Sequence, residues 1–121
     1  MTPAEILAAA RDLLARPRGA GVGGWQTAVA LLTRQALEHA IEEFWCTSPE
    51  TAGLAGCTRK TQLTCLPAYT DREVAHQVSY VWAALSSACH YHPYELAPTA
   101  SQLSGWIEAV DNLIATLGLA R

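Results

Sequence analysis

Apolar residues recur every three or four positions along most of the chain, and turn-forming residues interrupt them at intervals of helical length. Thr2, Pro3 and Glu5 form a capping-box start. Ile6, Leu7, Ala10, Leu13 and Leu14 follow on one face, and Pro17 stops the run. Residues 18–24 carry four glycines and read as a flexible surface link, without the lysine and hydroxyl residue of a phosphate loop. The next stripe, Trp25, Ala28, Val29, Leu32, Ala36, Ile41, Phe44 and Trp45, predicts a helix from about Trp25 to Cys46. Arg34, Gln35, Glu38, Glu42 and Glu43 fall largely off that stripe.

Gly53 and Gly56 keep the following stretch irregular or briefly helical, and a shorter helix is expected from Thr58 to Leu66, before Pro67. Thr70-Asp71-Arg72-Glu73 reads as a second capping box. It leads into the stripe Val74, Val78, Val81, Trp82, Leu85 and Cys89, which closes near His92-Pro93. Thr99-Ala100-Ser101-Gln102 opens the last helix. Its face is Leu103, Trp106, Ile107, Val110, Leu113, Ile114 and Leu117, with Gly118 placed to end it. No window alternates with period two between hairpin turns. The expectation is an all-α fold: one domain over 1–121, a compact bundle of four long helices plus one short helical segment.

Composition narrows the function. Half of the 121 residues are hydrophobic and 16% are charged, so a packed core is affordable and disorder is excluded. Each buried Leu, Ile, Val or Trp contributes roughly 1.5–3 kcal/mol before entropy is subtracted. The four tryptophans lie on three of the long helices, where filling the space between them is the simplest role. No apolar run approaches the ~18 residues that span a bilayer, and the start has no basic, then apolar, leader pattern. A cytoplasmic protein without a membrane segment is expected. Net charge is −3 and Lys60 is the only lysine, which argues against a general nucleic-acid surface. Cys46, Cys57, Cys65 and Cys89 show no C-x-x-C spacing and read as free thiols rather than disulfides or a zinc site.

Two segments concentrate candidate chemistry. Cys89-His90-Tyr91-His92-Pro93-Tyr94-Glu95 groups a thiol, two imidazoles and a carboxylate at a helix end. It can be read as a metal site using Cys89, His90 and His92 with Glu95 adding oxygen, as an acid–base site, or as a helix terminus where imidazole meets the dipole. Arg34-Gln35-Ala36-Leu37-Glu38-His39 is the second segment. Arg34 has Glu38 one turn on as an ion-pair partner, and a regular helix sets Arg34 and His39 about 140° apart. Arg72 and His76, four apart, share a face with Tyr80, and Arg59-Lys60 is the one basic doublet. No G-x-S-x-G, H-E-x-x-H, paired acidic metal motif or dinucleotide fingerprint occurs, and no cofactor is expected.

The run Leu31-Leu32-Thr33-Arg34-Gln35-Ala36-Leu37-Glu38, with the helices that follow, resembles the HEPN superfamily of small α-helical bundles. It is also similar to small bacterial proteins that combine an Arg-Gln-Ala-Leu-Glu helix with a later Cys-His-x-His-Pro-Tyr-Glu-Leu turn. The resemblance implies a homodimeric binding or regulatory module with a protein or RNA partner. Active members are metal-independent ribonucleases with an Arg-x4–6-His motif, and Arg34 and His39 have that spacing. Under this implication Arg34, His39 and His90 are the catalytic candidates. His92, Tyr94, Glu95, Arg72 and His76 are the ligand-binding ones. The competing class is a metal-binding bundle built on the Cys-His-x-His turn.

Overall fold

The computed structural model describes residues 1–16, 24–91 and 95–119, apart from the Leu119 side chain. Most of the glycine-rich link, and His92, Pro93 and Tyr94, lie outside the described residues. Five α-helices follow in order: α1 (Pro3–Ala15), α2 (Trp25–Cys46), α3 (Arg59–Cys65), α4 (Arg72–Cys89) and α5 (Ala100–Leu119). Short 3-10 segments cover Ala52–Gly56 and Leu66–Ala68. No strand occurs among the described residues.

Local chemistry sets most of the helix starts. Thr2 and Glu5 form the reciprocal capping box that the sequence predicts: Glu5 N–H donates to Thr2 Oγ1 at 3.1 Å and Thr2 N–H to Glu5 Oε1 at 3.3 Å. Thr99 and Gln102 repeat the pattern at α5, at 3.1 and 2.9 Å. Thr58 caps α3 through the Thr61 N–H. Gly24, with φ of +79°, turns the chain into α2 through the left-handed region that favours glycine.

Two expected boundaries shift. The cap of α4 is Asp71, whose carboxylate accepts from Glu73 N–H at 2.8 Å; Thr70 lies one residue outside the helix. An Asp carboxylate reaches the second N–H of the helix as well as a Thr hydroxyl reaches the third, so the adjacent pair Thr70-Asp71 was ambiguous in sequence. Gly118 stands inside α5, which runs on to Leu119, and does not terminate it. Glycine accepts helical angles with a moderate penalty, and Leu117 is held in the core immediately before it.

The long helix α2 is the spine. α1, α4 and α5 all pack on it, α1 most extensively, while α4 and α5 meet each other less closely. The core is continuous across the long helices: Leu7, Leu37, Ile41, Trp45, Leu85, Leu103, Ile107 and Leu117 are all essentially inaccessible. Trp45 is the largest of these. Phe44 and Tyr69 meet it edge-on, at ring-centroid distances of 5.2 and 5.4 Å. Trp25, Trp82 and Trp106 are only partly buried and pack against the core margin, so the four indoles do not play one common role.

Candidate functional site

The helical period stacks Arg34, Glu38 and Glu42 one above another on α2, each one turn from the next. Thr58 starts α3 so that its first residue, Arg59, and Gln62 one turn later both meet this ladder. Arg59 Nη1 donates to Glu42 Oε1 at 3.1 Å and also to Gln62 Oε1. Arg59 Nε lies 3.6 Å from Glu38 Oε2, and Arg34 Nε lies 4.0 Å from Glu38 Oε1. Both Nε–H groups are buried without a hydrogen bond, so Glu38 attracts them as a charge rather than through a directed bond. From α4, Trp82 Nε1–H donates to Glu38 Oε2 at 3.1 Å. Two carboxylates thus balance two guanidinium groups, with an indole donating to one of the carboxylates.

Gln62 locks this arrangement to the backbone. It is fully buried, and its amide reaches Glu42 Oε1 at 3.1 Å and the carbonyls of Leu54, Ala55 and Cys57 at 2.8, 3.2 and 3.3 Å. The segment at Ala52–Gly56, which has no buried apolar residue, is held by that amide. Cys89 lies on the α4 side of the same network. Burial pushes its thiol up from the ordinary range, the Arg34 guanidinium pulls it down, and the Glu38 carboxylate raises it further.

Beside the network runs an open groove between the start of α1, α2 and Arg59. Ile6 and Leu32 line its apolar side, and Gln35, Glu38, His39, Glu42 and Arg59 its polar side. His39 is exposed and opens here, one turn from Gln35. Arg34 does not line this groove. It faces Glu38 and Cys89, so within one protomer the Arg34 and His39 side chains serve different faces of α2. His90 is the exposed C-cap residue of α4.

Arg72 and His76 come together, as their spacing predicts, in a shallow depression at the start of α4 with Asp71 and Glu73. Glu95 lines a different depression, with Tyr91 and Trp106, between α4 and α5. Tyr91 and Glu95 thus lie toward α5, whereas Cys89 lies beside Arg34 and Glu38 of α2. His92 and Tyr94 are outside the described residues. Among the described residues no three His, Cys, Asp or Glu side chains group as metal ligands. The cysteines among them are free, as expected.

Sequence reasoning singled out Arg34 and Glu38 and anticipated their pairing. It missed Arg59 as their partner, read Trp82 only as a space-filling indole, and missed Gln62 altogether. The one signal available was the Arg34–Glu38–Glu42 ladder: charges stacked at one-turn spacing beside the apolar stripe need a polar neighbour if they are covered.

Set against known proteins, the chain matches no family model, no curated protein and no solved structure. No helix among the described residues is long and apolar enough to cross a membrane.

Proposed function

We propose that the chain is a HEPN-like helical-bundle module that binds a partner or regulates one, works as a homodimer, and contacts its ligand through the α1–α2–α3 groove. The observation carrying this reading is the pairing of Arg34 and Arg59 with Glu38. A phosphate-binding or transition-state-stabilising arginine needs an uncompensated charge at the point where negative charge develops. Here the guanidinium charges are balanced within the fold by Glu38 and Glu42. His39, the nearest proton-transfer group in sequence, opens onto the groove while Arg34 faces Cys89. A groove with an apolar wall and hydrogen-bonding groups on the other side suits recognition of a neutral or mixed polar surface.

The rival reading, a metal-independent ribonuclease, requires Arg34 and a histidine to converge from two protomers. RNA incubated with the protein in EDTA decides between them. Negligible cleavage, equal for the unmodified protein and an Arg34→Ala variant, is the expected result. EDTA-resistant cleavage that Arg34→Ala abolishes would replace the binding reading with the enzymatic one. Elemental analysis after mild purification addresses the Cys-His-x-His turn. A stoichiometric transition metal would establish the metal-binding alternative.

A further inference from the structure

Residues 52–65 leave the bundle and return to it at the same core residue. Just before them, Thr51 is buried and its Oγ1 donates to the Trp45 carbonyl at 2.9 Å. Just after them, Leu66 is sealed in the core, and the Tyr69 ring meets the Trp45 indole edge-on. Both ends are therefore pinned around Trp45. A segment of this kind, about 6–16 residues long with its ends together, is an Ω-loop. Between the pins the segment is held differently. Gln62 is the only fully buried side chain of residues 52–65, while Leu54, Ala55, Leu63 and Cys65 are partly buried. The directed ties back to α2 are polar: Arg59 to Glu38 and Glu42, and Gln62 to Glu42.

We infer that residues 52–65 form a lid on the α1–α2–α3 groove, hinged beside Thr51 and Leu66 and latched by Arg59 on Glu38 and Glu42. The inference rests on the groove reading of the proposed function and adds its regulation. Arg59 lines the groove but belongs to the lid, whereas Glu38, His39 and Glu42 stay with α2. Lifting the segment removes that wall, widens the groove and bares the two carboxylates.

Nothing in the segment itself resists that motion strongly. The 7 residues of α3 are fewer than the roughly 12–15 that an isolated helix needs to hold together in water. Stretches with few buried apolar contacts are where proteins open locally without unfolding as a whole. An ionic latch also makes the opening depend on charge. The Arg59, Glu38 and Glu42 side chains are 22%, 25% and 39% exposed, so dissolved ions reach the pairs and screen them.

Hydrogen exchange of the full chain, read by mass spectrometry, tests the lid in the free protein and needs no ligand. The amides of Leu54, Cys57 and Gln62 are hydrogen-bonded and have protection to lose. Exchange over residues 52–65 should outpace that of the α2 and α5 core. Raising sodium chloride from about 0.05 M to about 0.5 M shortens the screening length from roughly 14 Å to roughly 4 Å. That step should speed the lid about threefold and leave the core unchanged. Glu42→Gln keeps an oxygen for Arg59 and Gln62 but removes the charge. It should speed lid exchange about fivefold at low salt and shrink the salt response. Cys65 supplies a second readout, since it is partly buried within the lid while Cys57 is exposed there. The ratio of Cys65 to Cys57 labelling by a maleimide should rise with salt and with Glu42→Gln. Lid exchange that ignores salt, or a segment that exchanges only when α2 and α5 do, overturns the lid while leaving the groove as a fixed site. A salt response undiminished by Glu42→Gln overturns the latch.

Discussion

Glu38 of α2 and Trp82 of α4 are joined by a hydrogen bond of 3.1 Å from the indole N–H to the carboxylate. That bond makes Glu38 the meeting point of three helices, since Arg34 shares its own helix and Arg59 approaches from α3. The ionic side chains here are about one-fifth to two-fifths exposed, intermediate between surface pairs of little value and buried ones whose loss is severe.

Removing Glu38 should therefore cost more than removing either arginine. Glu38→Ala strands the Trp82 N–H and leaves two partly buried guanidinium groups facing each other's field. The expected loss is about 2–3 kcal/mol, reduced from the fully buried case by the remaining solvent. Arg34→Ala leaves Glu38 with Arg59 and should cost about 1 kcal/mol. Urea unfolding of the three proteins measures both, and equal midpoints would show that Glu38 organises nothing.

Gln62 is a different case because it is neutral and inaccessible. Its amide satisfies carbonyls of a segment whose own apolar contacts, Leu54 and Ala55, are only partly buried. Gln62→Leu fills the same volume but removes one of the two donors to Glu42 Oε1, the side-chain donor to those carbonyls and the Oε1 that accepts from Arg59. A loss of about 2–3 kcal/mol is expected. Amide hydrogen exchange should accelerate locally over residues 52–57 while the α2 core stays protected. Uniform exchange across the chain would mean that Gln62 supports the whole bundle instead.

These two residues mark where the sequence stopped being informative. Helix count, the stripe of α2, the capping boxes at Thr2 and Thr99 and the Arg34–Glu38 pair all depend on neighbours within a turn or two. Such relationships are written in spacing. The position of α3 depends on Arg59 and Gln62 finding Glu38 and Glu42 across a 3-10 turn, and periodicity gives a helix its face without naming what the face meets. Arg59-Lys60 consequently read only as a basic doublet, with no partner named for either residue. Lys60 is exposed, whereas Arg59 is tucked into the network.

The thiols should separate by reactivity. Cys46 and Cys57 are exposed, while burial holds the Cys89 thiol above its ordinary range and so keeps it protonated at neutral pH. Labelling with an excess of a maleimide at pH 7 should modify Cys46 and Cys57 quickly and Cys89 slowly, as read by peptide mass mapping. Arg34→Ala removes the influence that lowers the thiol and should slow Cys89 further. Because its folded pKa is raised, Cys89 contributes stability below the unfolded thiol's pKa that is lost as pH rises through the folded value. The protein should accordingly lose stability in the alkaline range, and Cys89→Ser should flatten that part of the profile. A Cys89 that labels as fast as Cys46 would contradict its placement beside Arg34 and Glu38.

The start of α4 offers a single-residue discrimination. Asp71 accepts the Glu73 N–H and brings a negative charge to the positive end of the helix dipole. Thr70, one position earlier, makes no side-chain bond of that kind in the cap. Asp71→Ala should cost about 1 kcal/mol, and Thr70→Ala only a few tenths, because only the first leaves an N–H of the opening turn without its acceptor. Acidification provides the matching control. Protonating Asp71 removes the charge that favours the dipole but leaves an oxygen to accept, so the gap between Asp71→Ala and the unmodified protein should narrow at low pH without closing. If Thr70→Ala is the more damaging of the two, the capping residue is the threonine and α4 begins one residue earlier.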